Sequence, residues 1–99
     1  MIEIIQSETF KNWLSGLKDL QAKARIEARI RRVSLGNRGD AKPVREGISE
    51  LRIDYGPGYR VYFIQRGPAM IVLLAGGDKR TQNVDIERAI MLAKDWSAQ

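Results

Sequence analysis

The sequence predicts a small α+β domain in which an antiparallel sheet is flanked by two N-terminal helices and one C-terminal helix. Three patterns support this class: helical spacing of apolar residues before residue 35, strand-like alternation between residues 50 and 75, and a helical apolar face near the C-terminus. The chain has 99 residues, of which 43% are hydrophobic. Such a chain suits one domain spanning residues 1–99 with one modest core. The expected element order is β-α-α-β-β-β-α.

The first third of the chain is expected to form a strand followed by a helical hairpin. The strand is predicted from Ile2, Ile4 and Ile5, and Ser7 suits the N-cap of the first helix. The apolar face of that helix is predicted from Phe10, Trp13, Leu14, Leu17 and Leu20. The second helix carries Ile26, Ile30 and Val33 at i, i+4 and i+7 and ends in the turn-rich segment 36–40.

The middle of the chain reads as antiparallel sheet, because apolar and charged residues alternate on both sides of a Gly56-Pro57-Gly58 turn. Residues 70–75 are apolar on both faces and predict a buried central strand, and an additional edge strand near residues 42–45 is left open. The last helix is expected around residues 86–96. If helices cover one face and the hairpin strands pair around the turn, Arg52, Arg60 and Tyr62 share the open face.

Two residue types are missing from the sequence. There are no cysteines and no histidines, so thiolate chemistry, disulfides and the commonest metal and acid–base side chain are excluded. We therefore expect no metal and no cofactor, and any catalysis has to use Lys, Arg, Tyr, carboxylates or the backbone.

The charge pattern favours a polyanionic partner. Lys and Arg number 17 against 12 Asp and Glu, which gives a formal net charge of +5, and each phosphate contact by such a surface releases counterions. No apolar run approaches the roughly 20 residues of a membrane span, and the N-terminus has neither a basic n-region nor a small-residue cleavage site. A cytoplasmic protein without a membrane partner is expected.

Three motifs carry a family resemblance: E-L-R-I-D at 50–54, G-Y-R-V-Y at 58–62 and G-G-D-K at 76–79. Together they closely resemble the HigB-like branch of the RelE/ParE toxin superfamily, also called addiction module killer proteins, over essentially the whole chain. The resemblance implies the toxin of a type II toxin–antitoxin system that cleaves mRNA on the ribosome. It also implies a cognate antitoxin, which is expected to be a helix-turn-helix protein. The complex would contact operator DNA only through this antitoxin.

The resemblance also implies site residues. Arg60 matches the arginine of the G-Y-R strand, Arg52 lies where a basic residue is usual, and Lys79 and Arg80 lie in the basic loop after the last strand. Many members add a C-terminal Tyr or His. This chain has no His and no Tyr after Tyr62, so the acid and base are not assigned by the resemblance.

Metal-free cleavage needs cations around the phosphate, a base for the 2′-OH and an acid for the leaving oxygen. Arg52 and Arg60 suit the phosphate, because guanidinium groups match its oxygens. Lys79 is a candidate base or acid, Asp78 is an alternative base or an orienter of Lys79, and Tyr59 or Tyr62 is a candidate to position the sugar or stack a base.

Each of these roles has an alternative. Arg60 could pair across the hairpin with Glu50 or Asp54, and Tyr59 could simply pack beside the turn. Gln82 is either a helix-start residue or a reader of a base edge. The Gly76-Gly77 pair is either a strand exit or a phosphate cradle.

A basic stripe is predicted on the second helix from Arg25, Arg29 and Arg32 at i, i+4 and i+7. It is either a solvated face or a docking surface for ribosomal RNA or an acidic antitoxin. Two rival functions also stay open: a ParE-like toxin that inhibits DNA gyrase by binding, and an inactivated relative that serves as an operator corepressor.

Overall fold

The structure, a computed structural model, describes residues 1–97. Five strands and three α-helices alternate along the chain as β1 (Glu3–Gln6), α1 (Glu8–Ser15), α2 (Leu20–Ser34), β2 (Ala41–Arg45), β3 (Ile48–Ile53), β4 (Tyr59–Arg66), β5 (Met70–Asp78) and α3 (Gln82–Ser97), with a short 3-10 helix at Lys79–Thr81. The α+β class is confirmed. The order has one strand more than β-α-α-β-β-β-α, namely β2, in the segment left open as an edge strand.

The sheet has the strand order β1-β5-β4-β3-β2. Strands β2 to β5 pair antiparallel in sequence order, but β1 pairs parallel with β5, with Ile4 opposite Ile71. The prediction of a wholly antiparallel sheet is therefore wrong for this one pair. The direction of β1 depends on where the helical hairpin returns the chain to the sheet, and the apolar pattern of a single strand carries no information about that.

Helices cover both faces of the sheet. Helices α1 and α2 pack on the face that contains Leu51, Val61 and Phe63, whereas α3 packs on the opposite face, over Tyr62 and Leu74. The prediction of a partly open opposite face is wrong over β4 and β5, because these strands bury apolar side chains on both sides. The two helical layers leave a cleft at the end of the sheet near the β3–β4 turn.

Side-chain caps start the two N-terminal helices. The Ser7 hydroxyl accepts a hydrogen bond from the Phe10 amide at 3.0 Å and donates to the Leu74 carbonyl at 2.6 Å, so the expected cap also ties α1 to β5. Asp19 caps α2 by accepting from the Gln21 and Ala22 amides. Leu20, expected on the apolar face of the first helix, instead begins α2 and is 77% exposed.

The paired glycines of β5 allow two close approaches, one on each face. An added Cβ on Gly76 would lie 2.3 Å from the Trp13 ring, and one on Gly77 would lie 1.8 Å from the Asp85 carboxylate. Both glycines lie within β5, so neither reading proposed for them holds: the strand continues to Asp78, and an acidic side chain occupies the space beside Gly77. A phosphate cradle is excluded there, because Asp85 would repel it.

Within residues 1–97, none of the helices combines the length and the apolar character that crossing a membrane requires.

Candidate functional site

A cleft of about 270 Å³ lies where the β3–β4 hairpin meets the end of β5. Three of the four residues predicted as catalytic line it, Arg52, Arg60 and Lys79. The remaining lining residues are Asp40, Ile53, Asp54, Gly56, Pro57 and Gly58. Cations from three separate segments thus meet around one concave surface.

Arg52 on β3 and Arg60 on β4 lie directly opposite each other in the antiparallel register. The predicted sharing of one sheet face is therefore confirmed for this pair. Like charges opposite each other across two strands are destabilising. A separate carboxylate compensates each arginine, Asp40 for Arg52 and Glu50 for Arg60.

Arg52 is engaged by Asp40 at the surface. Its Nε and Nη2 donate to the same Asp40 Oδ1, at 3.0 and 2.6 Å. This contact holds the pKa of Asp40 below its usual value and raises the pKa of Arg52. Sequence reasoning missed Asp40, which ends a turn-rich segment 12 residues from Arg52 and carries no local motif.

Arg60 lies at the base of the cleft and is only 8% exposed. Its Nη1 donates to the backbone carbonyls of Gly58 and Tyr59, at 3.3 and 3.2 Å. Its Nε lies 3.7 Å from Glu50 Oε2 in a buried ion pair. Of the two partners considered for Arg60, the structure selects Glu50. Among residues 1–97, Arg60 Nη2 has no hydrogen-bond partner.

Lys79 follows β5 and lies against the hairpin turn. The turn glycine Gly58 has φ +81°, and a Cβ added to it would lie 3.0 Å from both Cγ and Cε of Lys79. The aliphatic stem therefore packs on the turn while the ammonium group stays at the cleft. In the described part of the chain, Lys79 forms neither a hydrogen bond nor an ion pair, so its charge is available to a ligand.

Arg80 does not line the cleft with the other three predicted catalytic residues. It is bonded to Asp78, whose carboxylate accepts from the Arg80 amide at 2.9 Å and from its guanidinium at 3.1 Å. These bonds lower the pKa of Asp78 and cap the 3-10 helix. Asp78 therefore orients Arg80 and does not orient Lys79. Arg80 and Gln82 line a neighbouring concavity of about 320 Å³, which shares Lys79 with the cleft.

The predicted roles of the two tyrosines change. Tyr62 is completely buried beneath α3, and its hydroxyl lacks a hydrogen-bond partner among residues 1–97. Burial raises the pKa of this hydroxyl, so Tyr62 can neither stack on a base nor move a proton at the cleft. Tyr59 packs edge-on against Trp13 on the opposite sheet face, with ring centroids 6.2 Å apart. This contact fits the packing alternative for Tyr59.

The stripe on α2 is not a uniform basic face. Arg29 donates to the carbonyls of Arg52, Arg38 and Asp40, at 2.6, 2.9 and 3.3 Å. Because Arg52 and Asp40 line the cleft, these bonds fix the backbone on which the cleft is built. Arg25 lies over the Tyr55 ring, 4.6 Å from its centroid. Arg32 is exposed, and its charge is directed to solvent. Arg29 therefore has a structural role, whereas exposed Arg32 fits both alternatives, a solvated face and a docking surface.

A groove of about 180 Å³ adjoins the cleft on the α2 side. Its lining combines Arg25, Arg29 and Arg32 with Ile53 and Asp54, and the last two residues also line the cleft. The cleft and the groove therefore form a connected basic surface. Gln82 begins α3, as its helix-start alternative predicts, and it also lines the neighbouring concavity. No group of three or more metal-ligating side chains occurs in residues 1–97.

The fold and the cleft together define a small α+β protein with a recessed cationic site at the end of a β-hairpin. The chain belongs to the same family as an uncharacterized protein from Haemophilus influenzae, to which it is 53% identical over 94 residues, 95% of either chain. No family model matches the chain.

Proposed function

We propose that this protein is the toxin of a type II toxin–antitoxin system and cleaves mRNA on the ribosome as a metal-free endoribonuclease. The observation that carries the proposal is the convergence of Arg52, Arg60 and Lys79 on one cleft. The motifs that contain these residues are those that resemble the HigB-like branch of the RelE/ParE superfamily. A helical hairpin on one sheet face and a C-terminal helix on the other suit a RelE/ParE-like topology.

The proposed reaction is an attack of the 2′-oxygen on the adjacent phosphorus. The 2′-O–P bond forms, the P–O5′ bond breaks, the 2′-OH proton leaves to a base, and the 5′-oxygen receives a proton. The products are a 2′,3′-cyclic phosphate and a 5′-hydroxyl end. The proposed reaction requires no oxidant, metal or cofactor.

The cations of the cleft would act mainly on the charge of the transition state. Arg60 Nη2 and the ammonium group of Lys79 would donate to the non-bridging oxygens, and Arg52 would join them when a phosphate displaces Asp40. Lys79 is also the proposed proton carrier, since buried Tyr62 is ruled out and Asp78 is bonded to Arg80. Arg80 and Gln82, in the neighbouring concavity, would contact the flanking nucleotide.

The proposed partners are the ribosome with its mRNA and a cognate antitoxin, in the cytoplasm. The groove along α2 would hold ribosomal RNA through Arg25 and Arg32, with an effect on affinity and its salt dependence. Operator DNA would be bound only through a helix-turn-helix antitoxin.

The test adds purified protein to programmed ribosomes and maps the 5′ ends of the mRNA, with gyrase supercoiling assayed in parallel. Arg60→Ala and Lys79→Ala should each lower the cleavage rate by about 10²-fold or more and relieve growth arrest while keeping antitoxin binding. Lys94→Ala is the matched control, because Lys94 is an exposed lysine near the other end of α3. Full activity of both cleft variants would disprove the site, and intact mRNA would disprove the nuclease.

Two observations favour the second candidate, a ParE-like protein that binds and inhibits DNA gyrase without cleaving RNA. No tyrosine hydroxyl of the described chain lines the cleft, and Asp40 already engages one of its two arginines. Such a cleft is better equipped to hold an anion than to move a proton. Blocked supercoiling together with intact mRNA is the result that would select this function.

A further inference from the structure

A buried polar cluster lies beneath the cleft, between the sheet and α3. Glu50, Arg60 and Tyr62 share one face of β3 and β4, and Tyr62 lies directly opposite Glu50 in the register. Their exposed fractions are 2%, 8% and 0%. Charged residues this deeply buried need paired partners, since desolvation otherwise costs several kcal/mol for each ion.

The charges of Glu50 and Arg60 compensate each other, but the two side chains are not joined by a hydrogen bond. Glu50 Oε2 and Arg60 Nε are 3.7 Å apart, within ion-pair range but beyond a hydrogen bond. In residues 1–97, these two atoms and the Tyr62 hydroxyl are the buried side-chain atoms without a hydrogen-bond partner. Unsatisfied buried groups are rare in folded proteins and often mark functional sites.

The cluster leaves Arg60 oriented and able to donate. Two backbone carbonyls hold Nη1 on one side of the guanidinium, and the Glu50 carboxylate lies beside Nε. Glu50 thus compensates the buried charge without occupying Nη2, whereas Asp40 occupies both Nε and Nη2 of Arg52. Of the two arginines, only Arg60 has its charge compensated by a buried carboxylate and still keeps Nη2 as a donor for the cleft.

We propose that Glu50 is a positioning residue, whose buried carboxylate holds the Arg60 guanidinium in the orientation that presents Nη2 to an oxyanion in the cleft. For RNA cleavage the inference rests on the proposed function. For anion binding it stands independently of it. Glu50 itself does not line the cleft and touches no substrate.

Glu50 could act on the cleft through its negative potential or by positioning Arg60, and the two roles predict opposite effects of Glu50→Gln on anion binding. If Glu50 only adds negative potential near the cleft, its neutralisation should tighten anion binding. If it positions Arg60, the variant should weaken binding, because the guanidinium loses the partner that fixes its plane. The sign of the change therefore decides between the two roles.

The binding experiment titrates the full-length protein with inorganic phosphate and follows the Nε–Hε resonance of Arg60 by NMR. Glu50→Gln should move this resonance in the free protein and raise the apparent Kd for phosphate by about tenfold or more, the loss expected for one charge-assisted hydrogen bond. Glu46→Gln makes the same chemical change on the exposed β2–β3 turn and should leave the Kd unchanged. Glu50→Asp keeps the charge and should restore part of the affinity.

Phosphate binding by folded Glu50→Gln that equals or exceeds the wild-type affinity would overturn the proposal. If Glu50→Gln does not fold, Glu50→Asp carries the test, because it keeps the buried charge but retracts it by one methylene. It should then raise the Kd by a smaller factor and shift the Arg60 resonance. A wild-type Kd and resonance in this variant would equally refute the positioning role.

The ribosome assay separates the two proposals. If the wild-type protein cleaves mRNA, Glu50→Gln should lower kcat by about 10²-fold, the cost of misplacing a catalytic group by about 1 Å, with a smaller change in KM. If the wild-type protein does not cleave, the nuclease proposal fails, while the phosphate titration still decides the role of Glu50.

Discussion

Arg52 and Asp40 form an ion pair at the edge of the cleft, with two nitrogens of the guanidinium directed at a single carboxylate oxygen, at 3.0 and 2.6 Å. The same nitrogens would otherwise form the fork that binds a phosphate. Asp40 therefore stands where a substrate oxygen would bind. Arg29 holds this arrangement in place, because it donates to the backbone carbonyls of both partners.

Replacing Asp40 by Ala should tighten phosphate binding by about two- to fivefold, since an exposed ion pair is a weak competitor. The change frees Arg52 and also removes one negative charge from the cleft. Asp54→Ala removes an equal charge from the same cleft without freeing a guanidinium, because Asp54 pairs with none among residues 1–97. Isothermal titration with phosphate should therefore show a larger gain for Asp40→Ala, and equal gains would contradict the competition.

Tyr62→Phe should leave the free energy of unfolding unchanged or raise it by up to about 1 kcal/mol, because it removes a buried hydroxyl without a partner. Tyr55→Phe is the matched contrast. The Tyr55 hydroxyl bonds Asp19 and Gln21 at 3.2 and 3.0 Å, so its loss should lower stability. Urea unfolding of both variants checks the pair, and a clear loss of stability in Tyr62→Phe would show that its hydroxyl is satisfied.

The Tyr62 hydroxyl should also make the protein sensitive to alkali. Burial raises its pKa in the folded state, so above pH about 10 the unfolded chain ionises first and holds fewer protons. Stability contributed by the neutral hydroxyl is then lost as the pH rises. The wild-type free energy of unfolding should fall more steeply above pH about 10 than that of Tyr62→Phe, and parallel curves would refute the assignment.

Gly76→Ala should destabilise the protein by about 1–3 kcal/mol, the usual cost of overpacking a core. The new Cβ would lie 2.3 Å from the Trp13 ring, so the ring must move. The same substitution in a Trp13→Leu background should cost much less, because the smaller side chain leaves room. Thermal unfolding of the four proteins measures this coupling, and equal costs in both backgrounds would exclude the contact with Trp13 as the cause.

Two neighbouring arginines of α2 should behave differently. Arg29→Gln should lower the free energy of unfolding by about 1–3 kcal/mol, since it removes three charge-assisted bonds to backbone carbonyls. Arg32→Gln should change it by less than about 0.5 kcal/mol, as for most exposed positions. If the proposed docking to ribosomal RNA is correct, Arg32→Gln should instead weaken ribosome binding and reduce its salt dependence. If both variants instead weaken ribosome binding equally and leave the free energy of unfolding unchanged, the stripe acts as one surface.

Much of the architecture could be predicted because it follows from local pattern. The Ser7 cap, the apolar face of α2 and the alternation along β3 and β4 depend on neighbours within a few residues. The parallel pairing of β1 with β5 could not be predicted in this way. It joins segments more than 60 residues apart, and their relative direction depends on the path of the intervening chain.

The candidate site could also be predicted only in part from the sequence. Alternation and turn position placed Arg52 and Arg60 on one face, as the register confirms. The carboxylate partner of Arg52 was missed, because Asp40 reaches β3 from the end of another segment. Tyr62 was misjudged because period-two alternation tells which face a residue occupies but not whether a distant helix covers that face.

By itself the sequence determined the α+β class, the absence of histidine and cysteine chemistry, the positive charge and the pairing of two arginines on one sheet face. Each of these is a property of composition or of spacing along a few residues. Only the tertiary structure decided that Asp40 engages Arg52, that Glu50 lies beneath Arg60 and that α3 buries Tyr62. These contacts join residues of different elements, and the packing of helices on both sheet faces brings them together.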